Sequence, residues 1–78
     1  MTDDELMDEY NWTVAEMKTW GRAPRDLSKL TPWQVAVRDR NEHLINWVLG
    51  NRPEPTPFDE WRKTLPPRTV YREDGKED

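Results

Sequence analysis

The side chains best suited to acid–base or metal chemistry are a single histidine and several clustered acids. His43 is the only histidine of the 78 residues, and Asp39 precedes it by four positions, so both would face one side of a helix. Such a pair could share a proton or a metal ion, but a zinc site takes three or four protein ligands, and no other acid is placed by spacing to complete one. The spacing favours a solvated helix face, and we predict no metal and no other cofactor.

The paired acids of the chain are explained by helix starts. Asp3-Asp4 and Asp59-Glu60 stand where negative charge suits the positive end of a helix dipole. The sequence has no cysteine, no glycine-rich phosphate loop and no nucleophile elbow. We therefore expect a protein that is not an enzyme.

Charge falls in two blocks along the first half of the chain. Residues 1–16 carry six acids and no base, whereas residues 18–40 carry six bases and two acids. The first block attracts the second, which favours an acidic helix lying near a basic connector.

The basic block suggests one alternative function, a small DNA-binding regulator with a helix–turn–helix outline across residues 14–49. The second helix, however, mixes Arg38 and Arg40 with Asp39 and Glu42, and the whole chain has a net charge of −4. DNA binding depends on neutralising phosphates with a basic surface. Nucleic acid is therefore not the expected partner.

The acidic block suggests a second alternative, an inhibitor that imitates the phosphate rows of DNA and blocks a nucleic-acid-binding protein. Such mimics need negative charge over most of a surface, and the following bases counteract it. The residues of this alternative acidic face are Asp3, Asp4, Asp8 and Glu9.

Tryptophan content points to a protein partner. Only 33% of the residues are hydrophobic, yet five are tryptophans, and each can bury roughly 200 Å². A domain this small cannot bury all five, and exposed tryptophan beside arginine is typical of protein-binding hot spots. Trp12 has the alternative role of packing on Met17 at a helix start. The predicted contact residues are Trp12, Trp61, Arg22, Arg25 and Arg40.

Capping signals predict where the helices that position these residues begin and end. Thr2 and Glu5 form a capping box for a first helix, which Gly21 ends. A second box, Thr13 with Glu16, predicts a kink near residues 11–13. The connector over residues 22–30 leads to the next helix start.

Thr-Pro-aromatic occurs twice, at Thr31-Pro32-Trp33 and at Thr56-Pro57-Phe58. Proline suits the first helical position and threonine supplies a cap, so both copies predict helix starts. The second helix should end at Gly50 and the third near Thr64. A linear recognition motif or a phosphorylation site at Thr-Pro is the alternative.

These elements predict an all-α fold: a domain over residues 1–65 with two main helices and a short third, followed by a flexible charged tail over residues 66–78. Phe58 or Trp61 should fold back over the core. The predicted core residues are Leu6, Tyr10, Val14, Met17, Trp20, Leu27, Leu30, Trp33, Val37, Leu44, Trp47 and Val48.

The stretch "WGRAPRDLSKLTPWQVAVRDR" resembles small helical tail-assembly chaperones of tailed bacteriophages. The resemblance covers these 21 of the 78 residues and implies a non-catalytic helper that shields an aggregation-prone partner during assembly. The matching residues are Trp20, Gly21, Pro24, Leu27, Leu30, Thr31, Pro32 and Gln34.

Location and partners follow from the same features. No apolar run approaches the roughly 20 residues that span a bilayer, and the N-terminus is acidic where a signal peptide would be basic. We expect a cytoplasmic protein, in the host cytoplasm if it is phage-encoded, with no membrane contact. A protein partner is expected, and the thin core is also compatible with self-association.

Overall fold

A computed structural model describes residues 2–21 and 24–72 of the chain. Its elements are α1 (Asp3–Lys18), a single 3₁₀ turn (Leu27–Lys29), α2 (Pro32–Val48) and α3 (Phe58–Lys63). No strand occurs within these residues. The predicted all-α fold, with two main helices and a short third, is confirmed. None of the helices in the described ranges has the length and apolar character needed to cross a bilayer.

Both long helices begin at the predicted capping boxes. The Glu5 amide donates to the Thr2 hydroxyl at 3.2 Å, and the Thr2 amide donates to the Glu5 carboxylate at 3.4 Å. Thr31 and Gln34 repeat the pattern at 3.2 and 3.0 Å. The predicted glycine stops are confirmed as well, because Gly21 and Gly50 have φ of 71° and 82°, a left-handed conformation that glycine adopts without a steric cost.

The predicted kink in the first helix is wrong. α1 runs without interruption from Asp3 to Lys18, and the Thr13 hydroxyl donates to the Tyr10 carbonyl at 2.7 Å instead of capping a new start. A threonine inside a helix can make this bond to the preceding turn without breaking the helix. The same hydroxyl accepts from Asn41 Nδ2 at 3.0 Å, so fully buried Thr13 links α1 to α2.

The third helix begins one residue later than predicted. Its N-cap is Pro57, with no side-chain capping bond, and the helix starts at Phe58. The Thr56 carbonyl accepts a hydrogen bond from Arg40, which holds this residue against α2. Thr64 is the C-cap, which agrees with the predicted end.

The two long helices pack antiparallel. Glu9 meets Arg40, and Glu16 meets Trp33 about two turns earlier on α2. This register places the acidic start of α1 beside the end of α2, far from the connector. The predicted attraction between the two charge blocks is met by the pair of Glu9 with Arg40. The other described ion pair of α1 is made with Arg68, and none among the described residues joins α1 to the connector.

The core consists mainly of the predicted residues. Trp20, Leu30, Trp33, Val37 and Leu44 are buried. Trp61 packs against this core, and Phe58 contacts Trp12, which also packs against it. The prediction that Phe58 or Trp61 folds back over the core is therefore confirmed. The other predicted members that are half-buried are Leu6, Tyr10, Val14, Met17 and Trp47.

Two predicted core residues are exposed. Val48 is 63% exposed. It lies in the last turn of α2, where the antiparallel α1 begins and offers little surface to cover it. Leu27 is 51% exposed because its short 3₁₀ turn borders a shallow depression over Met17 and Trp20 and has nothing packed above it among the described residues.

The segment after α3 lies against α2. The Thr31 hydroxyl donates to the Thr69 carbonyl at 2.6 Å, and Val70 packs on the core. Fully buried Gln34 donates to the Tyr71 carbonyl at 3.1 Å and accepts from the Tyr71 amide at 2.9 Å. Contacts of the domain thus continue past residue 65 into the range predicted as a tail, whereas residues 73–78 lie outside the described residues.

Candidate protein-binding site

An aromatic cluster joins the three helices. The ring centre of Trp12 on α1 lies 6.0 Å from Trp33 on α2, and 5.4 and 5.9 Å from Phe58 and Trp61 on α3, each in an edge-to-face arrangement. Phe58 and Trp61 stack on each other at 5.7 Å. These are favourable geometries for aromatic pairs, and they fix the six-residue α3 onto the long helices.

Guanidinium groups lie over three rings of this cluster. Arg40 lies 5.1 Å from the ring centre of Trp61. Arg62 lies 5.9 Å from the ring centre of Trp12 and 5.5 Å from that of Phe58. The negative face of an aromatic ring attracts a cation at such distances.

A buried ion pair attaches the cluster to the extended segment before α3. Arg40 Nε donates to Glu9 Oε1, and Arg40 Nη2 donates to the Thr56 carbonyl at 2.5 Å. Arg40 is 2% exposed and Glu9 is 3% exposed. The two predictions that placed these residues on a surface, Arg40 as a contact residue and Glu9 in the acidic face, are therefore corrected, since each neutralises the other inside the fold.

An open groove of about 980 Å³ lies between the first half of α1 and residues 54–59. Its apolar lining comes from Trp12, Pro55, Pro57 and Phe58. Its acidic lining comes from Glu5, Asp8, Glu54 and Asp59, together with the paired Glu9. No lysine or arginine of residues 2–21 or 24–72 lines it. The groove therefore combines apolar rings with an excess of negative charge.

The structure brings some predicted contact residues together and separates others. Trp12 lines the groove, and half-buried Trp61 lies behind it in the cluster. Arg25 is exposed on the connector, at the opposite end of the helix pair from the start of α1. Arg22 lies outside the described residues.

The residues of the alternative acidic face are also divided. Asp3 and Asp4 are exposed in the first turn of α1, and exposed Asp8 lines the groove. Because Glu9 is buried, the acidic face retains three of its four predicted carboxylates at the surface.

His43 and Asp39 do not form a common site. His43 Nε2 donates to the Pro53 carbonyl at 2.9 Å, and Asp39 lies 3.8 Å from Arg52 Nη1. These contacts hold the chain where it leaves α2. Within the described residues no group of three histidine, cysteine or acidic side chains is arranged to hold a metal ion.

Glu16, predicted to belong to a capping box, instead accepts hydrogen bonds from three side chains. Its Oε2 accepts from Trp33 Nε1 at 2.9 Å, from Trp20 Nε1 at 3.1 Å and from Arg68 Nε at 3.0 Å. Burial raises the pKa of this carboxyl, but the hydrogen bonds from Trp33 and Trp20 and the charge of Arg68 outweigh burial, so the pKa lies below its ordinary value of 4.5.

We expect the contribution of Glu16 to stability to be lost in acid. A carboxyl whose pKa is lower in the folded than in the unfolded chain stabilises the fold above the unfolded value, and this contribution disappears as pH falls through the folded value. Glu16→Gln should therefore be less stable than the parent at neutral pH, and the difference should shrink as the pH falls below 4.5. Urea unfolding of both proteins from pH 7 to pH 3 measures it. A difference that stays constant over this range would contradict the assignment.

Comparisons with protein-family models, with curated proteins and with solved structures each found no match. The resemblance of residues 20–40 to phage tail-assembly chaperones therefore stays a prediction. What the chain offers for a functional argument is its own geometry: the aromatic cluster, the ion pair that supports it, and the groove beside it.

Proposed function

We propose that this chain is a non-enzymatic protein-binding module whose partner docks in the groove between α1 and residues 54–59. The observation that carries the proposal is the composition of the groove, in which aromatic and proline side chains lie next to carboxylates. Protein interfaces combine an aromatic, apolar centre with a polar rim in the same way.

The support beneath the groove favours binding without large rearrangement. Trp12 is held by three other rings, and Pro55 is buried while the Thr56 carbonyl accepts from Arg40. Three prolines at positions 53, 55 and 57 further limit the conformations of this wall. A wall fixed before the partner arrives loses less conformational freedom on association.

The same contacts weigh against the two nucleic-acid-related alternatives. Burial of Glu9 weakens the acidic face of a DNA mimic, and burial of Arg40 removes a base from the helix that would enter a DNA groove. An assembly helper of the phage type is the specific form of protein binding that the resemblance favours. Its partner would be a structural protein that needs shielding before assembly.

Site-specific photo-crosslinking in the native cell tests the proposal. A photoreactive phenylalanine analogue at Thr56, which is exposed and lines the groove, should form adducts with a protein partner. The matched control is the same analogue at Val35, 49% exposed on the outer side of α2. Adducts at position 56 and none at position 35 support the proposal. Equal labelling at both positions, or none at position 56, would contradict it.

A further inference from the structure

We infer that the occupant of the groove is a basic segment of the partner protein, bound through arginine or lysine side chains. This inference rests on the proposed function and adds the chemistry of the partner. It follows from the charge of the groove lining, from the half-buried rings of Trp12 and Phe58 beside that charge, and from the way in which the chain already places its own arginines on the same cluster.

The rim of the groove carries exposed carboxylates. Asp8 and Asp59 are exposed, come from opposite walls, and make no ion pair with any residue in the described ranges. Glu5 adds a further exposed carboxylate on α1, whereas Glu9 is paired with Arg40. A cation that binds between the walls is attracted by several carboxylates at once. It also reduces the electrostatic repulsion between those carboxylates.

The rings select the kind of cation. Arg62 lies over both Trp12 and Phe58, two rings that also line the groove, and Arg40 lies over Trp61. Guanidinium groups are weakly hydrated and stack on aromatic faces, while small inorganic cations keep their water. A carboxylate rim next to aromatic rings therefore suits an arginine side chain. Its guanidinium group can pair with Asp8 or Asp59, while its aliphatic part covers the apolar wall.

An extended segment fits this arrangement better than a single free cation. Exposed carboxylates lie on both walls, with Glu5 and Asp8 on α1 and Asp59 on the opposite wall. Two cationic side chains on one peptide can contact both walls together. Once the first is bound, the second is held at a high effective concentration near its own wall. The inferred partner segment accordingly carries at least two basic residues.

A peptide titration of the full chain tests this inference. The probe is a blocked Gly-Arg-Gly-Arg-Gly peptide, followed by nitrogen–proton NMR at the indole of Trp12 and the amides of residues 54–59. We expect saturable shifts at these positions, with Trp47 unaffected as an internal control. Citrulline in place of both arginines should weaken binding by about tenfold or more, since it keeps the shape and removes the charge.

One double variant and two further ligands sharpen the result. Asp8→Asn with Asp59→Asn removes two exposed charges, leaves the core intact, and should weaken binding of the arginine peptide by roughly tenfold. Binding should also fall when salt rises from about 50 to about 300 mM. Equal shifts from the citrulline peptide, from an acidic peptide or from spermidine would overturn the inference, as would an unaltered affinity in the double variant.

The outcome can be separated from that of the proposed function. If position 56 crosslinks a partner in the cell while the arginine peptide leaves Trp12 unshifted, the groove binds protein but the basic-segment chemistry is wrong. If the peptide binds as expected while position 56 yields no adduct, the preference of the groove for basic segments is supported. The proposal that the groove binds a protein partner in the cell is then contradicted.

Discussion

Arg40→Ala is expected to reduce the free energy of unfolding by about 3–5 kcal/mol, because it leaves a buried carboxylate without its partner. Glu9 is 3% exposed, and its described ion-pair partner is Arg40. The substitution also removes the donor to the Thr56 carbonyl and the cation over Trp61. For a domain near the lower end of the usual 5–15 kcal/mol range, a loss of this size populates the unfolded state substantially. Chemical denaturation followed by far-ultraviolet circular dichroism measures it.

Arg38→Ala is the matched control for this prediction. Arg38 lies on the same helix and forms an i,i+4 pair with Glu42 at 3.9 Å, but the two side chains are 38% and 62% exposed. Its removal should change stability by no more than about 0.5 kcal/mol. Glu9→Leu combined with Arg40→Met should recover much of the loss, since no charge then remains buried. A loss at Arg40 no larger than at Arg38 would show that the buried pair does not hold the fold together.

Local signals in the sequence predicted the helix ends well, and tertiary contacts explain where they failed. Thr2 and Thr31 cap their helices because each capping box is complete within four residues. Thr13 with Glu16 has the same pattern, yet both side chains are used elsewhere: Thr13 by Asn41, and Glu16 by two tryptophans and Arg68. Those partners lie up to 52 positions away, so no local pattern reveals them.

The candidate site was predictable only in part for the same reason. Trp12 could be singled out as a contact residue because tryptophan beside arginine is typical of protein-binding hot spots, and it does line the groove. The negative charge of the groove arises from residues near position 8 and near position 59, which only the folded chain brings together. Arg40 looked like a surface base in the sequence, and its burial depends on a carboxylate 31 positions away.

Trp33→Ala is expected to be the second strongly destabilising change, at about 3–5 kcal/mol. Trp33 is 8% exposed, packs edge-to-face on Trp12 at 6.0 Å, and donates to Glu16 at 2.9 Å. Removing the ring leaves a cavity between α1 and α2 and takes away the support beneath the groove. Loss of stability in urea unfolding should therefore be accompanied by changed amide shifts in residues 54–59, which have no direct bond to Trp33.

Trp33→Phe separates the ring from its N–H group. The smaller ring retains part of the packing, so the loss should fall to about 1–3 kcal/mol. With one of its hydrogen bonds gone, the Glu16 carboxylate is less favoured, and the pKa of Glu16 should rise toward its ordinary value of 4.5. Carbon-13 NMR titration of the side-chain carboxyl measures this directly. An unchanged pKa in Trp33→Phe would mean that Trp20 and Arg68 alone keep Glu16 ionised, and the indole of Trp33 would then act on the fold through packing only.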